Sequence, residues 1–196
     1  ATSKLKNWPT HSINATVPFM MRSQQKNFHM IKNATEGAKR LRFSEFDVKH
    51  DPADVVFLAR RFHEESRFNY IPFAPEKVEG IVERVLRNPK QEAILMCWDG
   101  ERALGAVYCS AGEYHIGRGA IVTTFHSIFV LPEIRGTLLS GRVALRLMKG
   151  VESWSKARSA QEILFHATAD IEVAKVHKLI KRVGYRFIGG SYAKSI

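Results

Sequence analysis

Two apolar runs in the middle of the chain, Glu92 to Trp98 and Ala103 to Ser110, are joined by little more than Asp99-Gly100. An Asp-Gly pair between two strand-like runs supplies the backbone freedom that a tight hairpin turn demands. The two runs must therefore pair antiparallel, and this hairpin constrains the fold more than any other feature.

The segments around the hairpin have their own periods. Lys39 to Asp47 reads as a first strand, with Leu41, Phe43 and Phe46 apolar. Asp51-Pro52 is a helix start, a good N-cap followed by a proline that needs no N–H partner. The helix it opens carries Val55, Val56, Ala59 and Phe62 inward at helical spacing. A second helix is predicted over 75–87, with Val78, Ile81, Val82, Val85 and Leu86 inward, ending at Asn88-Pro89. After the hairpin come a polar turn over 112–119 and a long strand over 120–130 rich in Val, Ile, Thr and Phe. Leu139, Val143, Leu147, Val151 and Trp154 stripe a helix over 138–159. A strand over 162–167, a helix over 171–183 closed by Gly184, and one or two short strands over 185–196 complete the chain. The order β-α-α-β-β-β-α-β-α-β gives antiparallel pairing in the first half and a crossover that allows parallel pairing in the second.

Charge divides the chain differently. Residues 1–42 hold eight Lys or Arg against the single acid Glu36, which is +7 of a net +11. Residues 1–38 thus form a basic arm, and 39–196 the regular domain. The arm also carries Trp8, Phe19, Met20, Met21, Phe28 and Met30, which suits docking on its own domain or on a macromolecular partner or assembly. No nucleic-acid motif accompanies the charge, so nucleic acid is not the favoured partner. No apolar run is long enough to cross a bilayer, and no membrane partner is expected. The absence of a signal-like start and the two apolar-segment thiols, Cys97 and Cys109, fit the cytoplasm. No His, Cys and carboxylate cluster has ligand spacing, so no metal is expected.

Three segments carry a family resemblance. Ile94 to Ala106 resembles a mid-sheet hairpin ending in an apolar residue and glycine. Ile128-Phe129-Val130-Leu131-Pro132-Glu133-Ile134-Arg135-Gly136 resembles a strand that ends in Val-x-Pro-x-x-Arg-Gly at an acyl-CoA site. Leu179 to Tyr185, followed by Gly190 and Lys194, resembles a closing helix, Gly-aromatic and strand unit. In this order they resemble the GNAT superfamily of acyl-CoA-dependent N-acetyltransferases over residues 39–196, including members from tailed phages. The resemblance implies an α/β (α+β) GNAT fold: a central mixed, mostly antiparallel sheet flanked by helices, with the basic arm as an N-terminal extension. It implies acetyl-CoA as cosubstrate and an amine as acceptor.

The resemblance also implies roles for residues. Free backbone groups of Ile128, Phe129 and Val130 would pair with the pantetheine arm. Arg135, Gly136, Ser140, Gly141 and Arg142 would cradle the pyrophosphate at a helix N-terminus, where N–H groups and the helix dipole favour an anion. Leu138 stands where the family has a glycine and is expected to crowd the phosphates. Ile180 stands where the family often has a tyrosine that protonates the departing thiolate, leaving His177, one turn earlier, as the candidate. No carboxylate lies between Ala120 and Val130, so His126 is the candidate general base. A strand histidine hydrogen-bonded to a neighbour is an equal reading of His126, and the residues leave both open. Phe68, Tyr70 and Phe73 either pack or line the acceptor side. The same departures suit a rival: a GNAT fold that no longer catalyses and serves an assembly, for example a phage virion, through its arm. The location would then be host cytoplasm or virion.

Overall fold

The computed structural model describes residues 41–194, so the basic arm lies outside the described residues. Five strands form one sheet in the order β1-β2-β3-β4-β5. They are β1 (Arg42–Glu45), β2 (Glu92–Asp99), β3 (Arg102–Glu113), β4 (Ile121–Val130) and β5 (Glu162–Phe165). The first four pair antiparallel, and β5 lies parallel to β4. The mixed, mostly antiparallel sheet expected from the sequence is the one found.

The β2–β3 hairpin closes one residue later than Asp99-Gly100 suggests. Asp99 pairs with Arg102, which leaves Gly100-Glu101 as the loop. Gly100 has φ +61°, the first central position at which a type II′ turn places glycine.

Helix α1 (Pro52–Glu65) starts as its sequence dictates, with the Asp51 side chain accepting the Ala53 N–H at 2.9 Å. Its fully buried residues are Val55 and Leu58, so the inner face is rotated from the expected stripe towards Leu58. Helix α2 (Pro75–Arg87) buries Val82 and Val85. Helix α3 (Leu138–Lys156) buries Val143, Leu147, Met148, Val151 and Trp154. Side chains alternate across a strand. Tyr108 of β3 meets Arg84 of α2, whereas Gly105, of opposite parity, faces Val143 and Leu147 of α3. Helices α2 and α3 therefore cover opposite faces. Gly105 is required here, because a Cβ would sit 2.6 Å from the Phe129 carbonyl oxygen.

The segment after β5 is looser. Helix α4 (Val173–Arg182) starts two residues later than the sequence suggests, behind Glu172 in the left-handed region, and none of its residues is fully buried. The strands expected over 185–196 do not form in the described part, 185–194. Gly189-Gly190 interrupts the segment with residues that weaken a strand. Phe187, Ile188 and Tyr192 stand 69%, 65% and 99% exposed, and only Tyr185 packs on the core, where burial pushes its phenol up to about 12. Cys97 and Cys109 are buried free thiols, and burial pushes Cys109 up to about 12. They are inert packing groups, as expected from their apolar surroundings.

Candidate active site

Strand β4 has two halves. Over Val122 to Phe125 it pairs with β3 on one side and β5 on the other, the last β5 partners being Phe125 and Phe165. Over Ser127 to Val130 it pairs with β3 alone. Between the halves the register to β3 slips: Tyr108 pairs with Ser127 and Cys109 with Phe125, so His126 is the extra residue of a β-bulge. The bulge lies where β4 loses its second neighbour.

The open half has usable backbone groups. Leu131 donates its N–H to the Leu104 carbonyl at 2.9 Å. By the alternation of an antiparallel ladder, Phe129 then faces β3 as well, while Ile128 and Val130 face the open edge. The Val130 carbonyl accepts from Arg135 Nε at 3.0 Å. Phe129 contributes its ring instead, edge-on to Phe62 of α1 at 5.8 Å and beneath the Arg135 guanidinium at 5.1 Å.

A cavity of about 560 Å³ occupies the gap left by β5. His126, Ile128, Phe129 and Val130 line it, as do Arg135, Gly136, Ser140 and Gly141. Eight of the ten sequence-predicted site residues thus meet in one space. Phe62, Phe68 and the loop after β5 close its other walls. That loop holds Asp170 and Glu172 at φ +60° and +44°, a costly backbone for residues with a Cβ. It is tied to the segment after α1 by the Arg67 N–H, which donates to the Ala169 carbonyl at 2.9 Å.

At the head of α3, Thr137 is the N-cap. Its Oγ1 accepts the Ser140 N–H at 3.3 Å and donates to the Ile134 carbonyl at 2.5 Å. The N–H groups of Leu138 and Leu139 belong to the first turn and have no intrahelical partner. Leu138 is 90% exposed and does not line the cavity, so it does not fill the space where the sequence suggested crowding.

Two predicted residues lie elsewhere. Arg142 is exposed and outside the cavity lining. His177 lines an adjoining groove between α3, β5, α4 and residues 183–191, with its ring 6.2 Å from that of Phe187. Arg135 is in the lining, but its Nη1 is paired with Glu65 of α1 at 2.5 Å.

His126 is hydrogen-bonded to a neighbour, as one of its two sequence readings has it, and stands in a network whose partners the sequence does not name. Its Nε2 is 2.7 Å from Ser110 Oγ, and its ring stacks on Tyr108 at 4.7 Å. Tyr108 donates its hydroxyl to Glu92 at 2.6 Å, and Arg84 Nη2 donates to that hydroxyl at 3.3 Å. Partial loss of water around the ring, which stays exposed on one side, lowers the His126 pKa below the ordinary 6.5; Glu92 pulls it up, His166 and Arg84 push it down. The neutral form of His126, the form that can accept a proton, is thus favoured. The sequence gives one signal for this partnership: once β3 and β4 are paired, Ser110 falls opposite Thr124, two residues from His126.

Comparison with solved structures places the architecture. Aminoglycoside N-acetyltransferase AAC(6′)-Iy in complex with CoA superposes with a TM-score of 0.63 over 83% of this chain and 98% of its own, at 13% identity. AAC(6′)-Iy with a bisubstrate analogue gives 0.61 over 80% and 99%, at 16% identity. A ribosomal-protein-alanine N-acetyltransferase from Brucella melitensis biovar Abortus gives 0.58 over 80% and 99%, at 15% identity. What is shared at these identities is the fold, and it is the GNAT acetyltransferase fold. No protein-family model matches the chain, and no curated protein matches its sequence.

Proposed function

We propose that this chain is an acetyl-CoA-dependent N-acetyltransferase that moves an acetyl group to an amine by direct attack in a ternary complex. One observation carries the reading: the open half of β4 runs along a cavity that reaches from the His126 bulge to the N-terminus of α3. The backbone groups of Ile128 and the Val130 N–H suit the amides of a pantetheine arm, the Val130 carbonyl being held by Arg135. The first turn of α3 suits a pyrophosphate, with open space at Gly136 and Gly141 for its approach.

In this reading His126 takes one proton from the acceptor's ammonium group, freeing the amine. The amine nitrogen forms its bond to the thioester carbonyl carbon, and an outward N–H of the open β4 edge steadies the carbonyl oxygen. As the carbon–sulfur bond breaks, the electron pair leaves with sulfur, and the second proton of the nitrogen goes to the thiolate. His126 then releases its proton to solvent. Most of the rate comes from holding amine and thioester together. His177 lies in the neighbouring groove, so the thiolate's proton need not come from it.

The engaged guanidinium of Arg135 favours a second reading: a GNAT fold without catalysis that docks into an assembly, a phage virion being one example, through the basic arm. Calorimetric titration and thermal unfolding with acetyl-CoA and CoA separate the two. The enzyme reading expects micromolar affinity and a stabilisation of about 2.7 kcal/mol at a hundredfold excess over Kd. Absence of binding at millimolar acetyl-CoA sinks it and leaves the docking reading.

A further inference from the structure

The His126 ring is fixed from two directions by β3. Ser110 holds Nε2 at 2.7 Å, and Tyr108 lies against the ring face at 4.7 Å. Tyr108 cannot swing away freely, because its hydroxyl is held between Glu92 of β2 and Arg84 of α2. Ser110 and Tyr108 do not line the cavity, whereas His126 does. The ring nitrogen bound to Ser110 is therefore turned to β3. Among the described residues no partner is found for the other nitrogen, Nδ1.

We propose that Ser110 is a positioning residue that accepts the Nε2–H of His126, so that Nδ1 is the bare nitrogen presented to the cavity and the one that takes the acceptor's proton. Tyr108 supports it by fixing the plane of the ring. The groups that face His126 are Ser110 and Tyr108 from β3, Glu92 from β2, Arg84 from α2 and His166 at the end of β5. Of these, Ser110 alone makes a hydrogen bond to the ring among the described residues. Ser110 is not acylated in this scheme. It accepts a hydrogen bond in both charge states of the ring, and it accepts more strongly from the imidazolium. The use of the proton rests on the acetyltransferase reading, whereas the tautomer is a property of the free protein.

The test has two arms. Long-range proton–nitrogen correlation spectra of the full chain, with His126 assigned through His126→Gln, read the tautomer and the titration without any substrate. The wild type is expected to carry its proton on Nε2 in the neutral form, and Ser110→Ala to titrate at a lower pH. A neutral form protonated on Nδ1 overturns the proposal. The second arm is acetyl transfer as a function of pH. Ser110→Ala is expected to lower kcat about tenfold, the worth of one hydrogen bond, with KM for acetyl-CoA unchanged and the acid limb moved down. Ser110→Thr, which keeps the hydroxyl, is expected to restore both. An unaltered rate, titration and pH profile in Ser110→Ala overturns the proposal. If the wild type binds no acetyl-CoA, the acetyltransferase reading fails, and the spectra still decide whether Ser110 fixes the ring.

Discussion

The two halves of β4 have nearly the same composition and opposite fates. Val122 to Phe125 is held on both sides, with Thr123 and Phe125 essentially out of water. Ser127 to Val130 is held on one side only, and Phe129 alone among its side chains is buried. One extra residue, His126, divides them. The closed half makes the sheet stable. The open half leaves backbone groups without protein partners beside a cavity, a state that a stable fold tolerates only where water or a ligand satisfies them. Three irregularities meet at the gap between β4 and β5: the bulge, the left-handed Asp170 and Glu172, and the missing neighbour strand; the other register shift, in β2–β3 at Cys97 and Trp98, lies away from it.

The sharpest way to separate the halves is to change the residue between them. On the acetyltransferase reading, His126→Gln is expected to lower kcat by about 10²- to 10⁴-fold, the contribution of a general base. Its urea-unfolding free energy is expected to change by no more than about 0.5 kcal/mol, as for an exposed side chain. Leu147→Ala should do the reverse. Leu147 is fully buried beneath the sheet, and its truncation is expected to cost about 2–5 kcal/mol in unfolding while leaving the acetyl-CoA Kd of the folded protein nearly unchanged. Gly105→Ala should join both effects. Its Cβ would press on the Phe129 carbonyl from the β3 side, so the open half must shift. Loss of about 1–3 kcal/mol, together with weakened acetyl-CoA binding, is the expected result. A Gly105→Ala protein that loses stability and keeps full affinity would show that the backbone path of the open half does not matter for binding.

Much of this contrast can be read from the sequence, and the part that cannot has a physical reason. The hairpin, α1 with its Asp51-Pro52 start, α2, and the apolar stripe of α3 are local patterns, and local patterns fix them. The segment from Ile128 to Gly141 is also legible, because the strand end, turn and helix start follow one another along the chain. The bulge at His126 is not, since an extra residue in a strand has no composition of its own and shows only when β3 is laid against β4. The Arg135–Glu65 pair joins residues 70 positions apart. Periodicity carries no information about such a pair, so Arg135 reads as a free phosphate ligand until α1 is placed beside it. The final strands fail in the other direction: Tyr185, Phe187 and Ile188 have strand-like chemistry, but Gly189-Gly190 breaks the run and β5 offers an edge of only four residues.

Acidity gives a smaller test of the same boundary. The His126 pKa is lowered on folding, so the native chain binds its proton less readily than the unfolded chain does. The stability this group contributes is whole above its unfolded value, near 6.5, and is lost as pH falls from there through the lowered folded value. The acid limb of kcat/KM should accordingly lie below pH 6.5. His126→Gln should remove both dependences. A limb above 6.5 that persists in His126→Gln would mean that another group sets the acid limb and that His126 is not the base.

The smallest effect belongs to the pairs that stand in for the missing neighbour strand. Arg135 bonds Glu65, and Arg61 bonds Glu133 at 2.7 Å, so two ion pairs clasp α1 to the turn that follows the open half. Both are partly exposed, and pairs of that kind are worth up to about 1 kcal/mol. Glu65→Gln is expected to lower the unfolding free energy by that much or less, and the loss should shrink at high salt. Its effect on the ligand is the more informative reading. If Arg135 serves the fold, freeing its guanidinium leaves CoA affinity unchanged, and the phosphates depend on the first turn of α3. If affinity rises instead, Glu65 competes with the ligand for Arg135, and α1 belongs to the open half of the molecule rather than to its scaffold.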